Sequence, residues 1–233
     1  MIRRVVFMLS STALIAACGH SPPAGSRPSA ASLLDQARVF LSETTSFHAH
    51  VWASLQPYGG DGKPIGHKTA TDFNGWVAGE KASGESRVAD TSAPVIRIGE
   101  RLYTQWTPQY LHDAGPDLIA KCQNRWIVSD RAATPASLAG AVTTSQFLRV
   151  LRASDTPRDI GDTRLEGQPV TRLRYTSDPG VTITLYLTRA KKPRPARIEL
   201  SAPTKFFAMT TELDRYGQAP PVVAPANAVQ LCP

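Results

Sequence analysis

Large aromatic side chains are scarce in this chain of 233 residues, at 7%, so no surplus of rings calls for a stacked ligand. Catalytic signatures are missing as well: there is no Gly-x-Ser-x-Gly elbow, no His-Glu-x-x-His and no glycine loop of the phosphate-binding kind. Basic residues are scattered and form no dense run interleaved with aromatics, which argues against nucleic acid as a partner. Downstream of the N-terminus there is no apolar stretch long enough to span a bilayer. Cysteine is limited to Cys18, Cys122 and Cys232, and no second Cys or His stands beside any of the last two at metal-ligand spacing. These absences favour a non-enzymatic protein without a cofactor.

What is present begins at residue 1. Arg3 and Arg4 precede an apolar run from Val5 to Ile15, followed by Ala16-Ala17-Cys18. Charge, then a short apolar core, then small residues is the layout of an export signal, and a cysteine directly after two alanines makes it a lipoprotein signal. Residues 1–17 are expected to be removed, leaving an acylated Cys18 that anchors the protein on the extracytoplasmic face of a cell membrane. The stretch 18–29 carries three prolines and no large apolar side chain, so it is expected to be a flexible tether. Residues 30–233 then form one domain with a sizeable core.

Loss of Arg3 and Arg4 lowers the 26 Lys and Arg to 24 against 19 Asp and Glu, a formal charge of +5. A mild excess of that kind helps a tethered body lie near anionic head groups. With Cys18 modified, Cys122 and Cys232 are an even pair in a compartment that permits oxidation, and a disulfide between them is expected. It would close a loop of about 110 residues, which the chain-entropy account values at roughly 4–5 kcal/mol. A metal pair or a reactive thiol is the alternative reading of the two.

The hydropathy pattern predicts a helix over 29–43, with Leu33, Leu34, Ala37, Phe40 and Leu41 on one face and Ser32 with Asp35 as a cap. From Phe47 to Gln56 the period changes to two. Phe47, Ala49, Val51, Ala53 and Leu55 alternate with His48, His50, Trp52 and Ser54, a strand with one apolar face. Further strands are predicted over 67–78, 95–98, 102–106, 125–128, 163–166, 169–176, 181–188, 197–201 and 206–216, with 79–84 read as a turn. Weak helical character at 110–121 and a better helix within 135–154 interrupt them, and the proline-rich 218–233 is expected to lie extended on the body. The expected fold is α+β. A large curved antiparallel sheet of about ten strands, a half-barrel, carries the leading helix and the mid-chain helical excursion on its concave side.

This order of pieces resembles the actinobacterial lipoproteins of the LppX and LprG type, whose fold is similar to that of the carriers LolA and LolB. The resemblance spans most of 30–230 and is carried by the lipobox, by the helix running into Thr45-Ser46-Phe47-His48-Ala49-His50, and by Val95 to Tyr103 with Asn124-Arg125-Trp126-Ile127 after it. Thr188 to Ile198, the strand 206–216 and Pro225-Ala226-Asn227-Ala228 complete it. It implies a half-barrel with an apolar cavity that holds the acyl chains of a lipid or lipoprotein, and it brings no catalytic residues.

Individual side chains add little to that. His48 and His50 share one strand face, as two imidazoles on a metal would, but His67 as third ligand would sit about 20 Å away, so they are expected to face solvent. Trp76, Trp106, Trp126 and Phe206-Phe207 fit either a ligand cavity or ordinary core packing. The run Arg189-Ala190-Lys191-Lys192-Pro193-Arg194 reads as a solvated turn rather than a lipid head-group site. The leading functional expectation is a membrane-anchored exported lipoprotein that binds or transfers a lipid or other amphiphile through its acyl chains. The alternative is an interaction or sensory module with a fully packed core that docks another envelope protein.

Overall fold

In the computed structural model the described residues are 27–55, 69–108, 111, 115–130, 142–178, 180–202 and 207–230. Residues 1–26, with the expected signal and Cys18, and the chain end with Cys232 lie outside them, as do His67 and Phe206. Among the described residues no helix is long and apolar enough to cross a membrane.

The first element is helix α1, Ala30–Glu43. Its cap is Ser29 rather than the expected Ser32 with Asp35, because the Ser29 hydroxyl accepts the backbone N–H of Ser32 at 3.2 Å. The helix ends where Thr44 turns extended and its hydroxyl donates back to the Phe40 carbonyl. The Arg27 guanidinium reaches Asp159 at 3.0 Å and Asp162 at 2.6 Å, so residues 27–29 belong to the folded body.

Twelve strands follow: β1 Phe47–Leu55, β2 Thr69–Ala78, β3 Lys81–Val88, β4 Thr91–Ile98, β5 Arg101–Gln105, β6 Trp126–Asp130, β7 Arg158–Leu165, β8 Gln168–Asp178, β9 Val181–Thr188, β10 Pro195–Ser201, β11 Phe207–Asp214 and β12 Val229–Gln230. Helix α2, Pro116–Cys122, and helix α3, Thr144–Val150, flank β6 in sequence. All twelve strands form one sheet in the order β12-β6-β5-β4-β3-β2-β1-β11-β10-β9-β8-β7. Every pairing is antiparallel except β12 on β6. The sheet is an early meander and a late meander joined where β1 pairs with β11.

Two of these strands were not foreseen. The chain reverses over Gly79 and Glu80 alone, with Gly79 at φ +61°, and Lys81 already pairs with Ala78. Strand β3 escaped notice because only Ala82 and Ser86 in Lys-Ala-Ser-Gly-Glu-Ser-Arg-Val are buried, so it lacks a large apolar alternation. Its insertion matters. With β3 between them, β2 and β4 run in the same direction, and the meander stays antiparallel at each step. Strand β12 is two residues of the proline-rich tail that pair with Ile127 and Val128.

Gly75 of β2 and Gly84 of β3 face each other across the ladder. A Cβ on Gly75 would stand 2.2 Å from the Ser83 carbonyl oxygen and 2.9 Å from the Phe73 ring, and one on Gly84 would stand 2.3 Å from the Asn74 carbonyl oxygen. The backbones close in at this point, and only glycine permits the approach.

One face of the sheet takes the helices. Leu33, Leu34, Ala37 and Leu41 of α1 join Phe47, Val51, Phe73, Val77, Leu173, Ile183, Leu185 and Leu187 in a continuous buried cluster. Helix α3 adds Phe147, whose ring meets Phe47 edge-on at 5.3 Å, and Leu151 follows it into the cluster. Its start is capped by Thr143, which accepts the Gln146 N–H. Tyr175 is buried on β8 and donates to the Val150 carbonyl, and burial drives its phenol well above the ordinary range.

Candidate functional site

The space within the curve of the sheet is occupied by the α1 side chains just named. Open volume lies beside the helix instead. A groove of about 820 Å³ runs along α1, bounded on the far side by residues 151–157 after α3 and by the β9–β10 turn at Lys191, Lys192 and Pro193. That size falls within the usual range for small-molecule sites.

The groove is two-sided in chemistry. Leu34, Val39, Phe40, Leu151, Ala153 and Pro157 give it apolar wall, while Arg38, Lys191 and Lys192 stand at its edges with Asp35, Glu43 and Asp155. Asp155 is fixed by Thr176, whose backbone N–H and hydroxyl donate to its two oxygens at 2.7 and 3.0 Å. The backbone N–H is the main cause that holds this carboxyl below the usual carboxylate range. Asp35 lies 3.9 Å from Arg38 one helical turn on.

The turn that supplies Lys191 and Lys192 is held by its ends. The Thr188 N–H donates to the Arg194 carbonyl, and the Arg194 N–H donates to the Thr188 hydroxyl. Beyond it Arg194 sits over the Phe40 ring, Phe40 meets Tyr216 edge-on at 4.9 Å, and the Tyr216 hydroxyl donates to the Pro195 carbonyl. Burial pushes the Tyr216 phenol far up. The run read as a solvated turn is therefore exposed at its lysines and also forms one rim of the groove. Sequence alone gave no sign of this, because α1 and the turn are some 150 residues apart.

The sheet places the two strand histidines on the face away from α1, as their spacing predicted. His48 is largely covered there: its Nδ1–H donates to Asp214 at 2.9 Å and its ring meets Trp76 edge-on, with Arg215 over the same indole. Burial, then Arg215, lowers its pKa below 6.5 against the opposing pull of Asp214. His50 leans on Trp52 with ring centres 4.7 Å apart. Among the described residues no group of three or more His, Cys, Asp or Glu could hold a metal. Trp76 lies on this outer face, away from the groove, and Trp106 and Trp126 do not line it either. Cys122 is wholly buried at the end of α2.

Two solved structures share this arrangement. LprF from Mycobacterium bovis superposes with a TM-score of 0.56 at 13% identity, covering 84% of this chain and 97% of that one. The Mycobacterium tuberculosis lipoprotein LppX gives 0.51 at 13% identity over 83% of this chain and 98% of that one. The chain has the LppX and LprF fold. The resemblance to LppX-type proteins read from the sequence is thus met at the level of the fold. No family model and no curated protein sequence matches the chain.

Proposed function

We propose that this protein is an exported, non-enzymatic lipoprotein, anchored on the outer face of a cell membrane through an acylated Cys18, that binds or transfers a lipid or other amphiphile. The observation that carries the reading is the groove of about 820 Å³ along α1, with apolar walls and charged edges. Each methylene of an acyl chain laid against such a wall contributes about 0.8 kcal/mol, so a long chain needs few polar contacts. The layout Arg3-Arg4, Val5 to Ile15 and Ala16-Ala17-Cys18 supports export and anchoring, and the shared fold with a protein named as a lipoprotein agrees with it.

A disulfide between Cys122 and Cys232 is part of the proposal. It is supported by the burial of Cys122, whose sulfur is not a free thiol, and by β12, which lays residues 229–230 beside 127–128.

A second reading has its own observation. The hollow of the sheet is filled by α1, as a packed interaction module for another envelope protein would require. Native mass spectrometry of protein extracted from membranes separates the two: a bound acyl species supports the carrier, and its absence in protein from lipid-rich extracts supports the interaction module. The same spectrum reads the N-terminus, where a diacylglyceryl group on Cys18 is expected and an unprocessed chain overturns the anchor.

A further inference from the structure

We infer that the groove-bearing side of the molecule docks on the anionic surface of the bilayer, with Lys191 and Lys192 in the head-group layer; this rests on the proposed anchor at Cys18. The first argument is reach. Eight residues lie between Cys18 and Arg27, and the nine steps from one to the other span about 30 Å at most when fully extended. Arg27 is not free to wander from the body, because it is clamped by Asp159 and Asp162 at the β7 edge, where Arg189 also reaches Asp162 at 3.3 Å. The leash therefore leaves the fold beside the start of α1 and the base of the 189–194 turn. That end of the molecule therefore stays within about 30 Å of the anchor.

The second argument is charge. Arg38, Lys191 and Lys192 line the groove, Arg194 sits over its Phe40, Arg158 neighbours its Asp155, and Arg189 and Arg27 meet on Asp162 where the leash leaves. The acids on the same side are Asp35, Glu43, Asp155, Asp159 and Asp162. Arg27 is taken up by Asp159 and Asp162, Arg189 by Asp162 and Arg38 by Asp35, so the outward positive charge of this side is carried by Lys191 and Lys192 at the turn. Lys191 and Lys192 lie in the turn and are exposed. A surface of this sign near the leash suits anionic lipid, and the attraction falls off within a Debye length, so proximity enforced by the anchor is what makes it effective. The third argument is that Val39 of α1, half exposed on the groove wall, gives the same side an apolar point that can meet lipid.

The test uses the acylated full chain in vesicles of phosphatidylcholine with brominated acyl chains, with and without phosphatidylglycerol. Tryptophan placed by Val39→Trp reports contact, read as the difference from the parent chain with its four native tryptophans in the same vesicles. Expected is quenching of the introduced tryptophan in vesicles containing phosphatidylglycerol, lowered severalfold by Lys191→Glu with Lys192→Glu and reversed by salt. Absence of quenching overturns the docking. Quenching that ignores lipid charge, salt and the two lysines reports a lipid in the groove alone and also overturns it. If the N-terminal mass shows no acyl group, the anchor falls by itself, and sedimentation of the unacylated chain with the same vesicles decides the docking: charge-dependent binding supports it and no binding refutes it.

Discussion

The guanidinium of Arg194 lies over the ring of Phe40, its central carbon 5.4 Å from the ring centre, and so ties the β9–β10 turn to the leading helix. Phe40 in turn packs edge-on against Tyr216. This three-part contact sets the distance between the two rims of the groove. Phe40→Leu is expected to lose the ring pair and the cation contact together, about 1–2 kcal/mol of stability, read as a lowered midpoint in urea unfolding. A midpoint equal to the parent's would show that the stack does not hold the turn.

Filling the groove without touching the core separates binding from folding. Ala31 is exposed in the first turn of α1 and lines the groove. Ala31→Trp should keep the melting temperature within a few degrees of the parent, since an exposed helical substitution changes stability by about 0.5 kcal/mol or less. Uptake of a fluorescent fatty acid should drop at least tenfold or so if the groove is the binding site. Undiminished uptake would move the site elsewhere.

Acid should weaken the fold in two steps with distinct origins. His48 has its folded pKa lowered below 6.5, so between those two values the unfolded chain binds more protons than the folded one. The stability it contributes is whole above pH 6.5 and is lost as pH falls through the folded value. Asp155 and Asp162 are also lowered, and their contribution disappears only below the carboxylate range near 3.8. In unfolding titrations, His48→Gln is expected to flatten the first decline and leave the second untouched. A first decline of unchanged slope in the variant would assign it to another group.

Gly84→Val tests the close approach of β2 and β3. Its Cβ would meet the Asn74 carbonyl oxygen at 2.3 Å, a backbone atom that cannot swing aside. A loss of about 2–3 kcal/mol is expected by chemical denaturation. A variant as stable as the parent would mean that the two strands separate freely.

Much of the fold was legible because its elements carry strong periods. Phe47 to Leu55 alternates strictly, and the register confirms that Phe47, Ala49, Val51 and Ala53 share the buried face. Helix α1 was equally plain from Leu33, Leu34, Ala37 and Leu41. The strand Lys81–Val88 was hidden because it buries alanine and serine where the neighbouring strands crowd together, and two-residue β12 is too short to have a period. The cap is Ser29 and not Ser32 because the helix begins at Ala30, as its expected span allows, and the Ser29 hydroxyl is then the one placed to accept the Ser32 N–H.

The amino-acid order by itself determined the alternation of each strand, the apolar stripe of α1, the charged and apolar start before Cys18, and the absence of catalytic motifs, since all of these are local patterns of side-chain type. Tertiary structure decided the rest. The helix fills the hollow of the sheet and leaves the open groove at its flank, and the turn at Lys191 and Lys192 meets Phe40 from a distant part of the chain. Such relations depend on how β1 pairs with β11 and on how far each side chain reaches across the gap, and neither quantity is written in the spacing of residues along a strand.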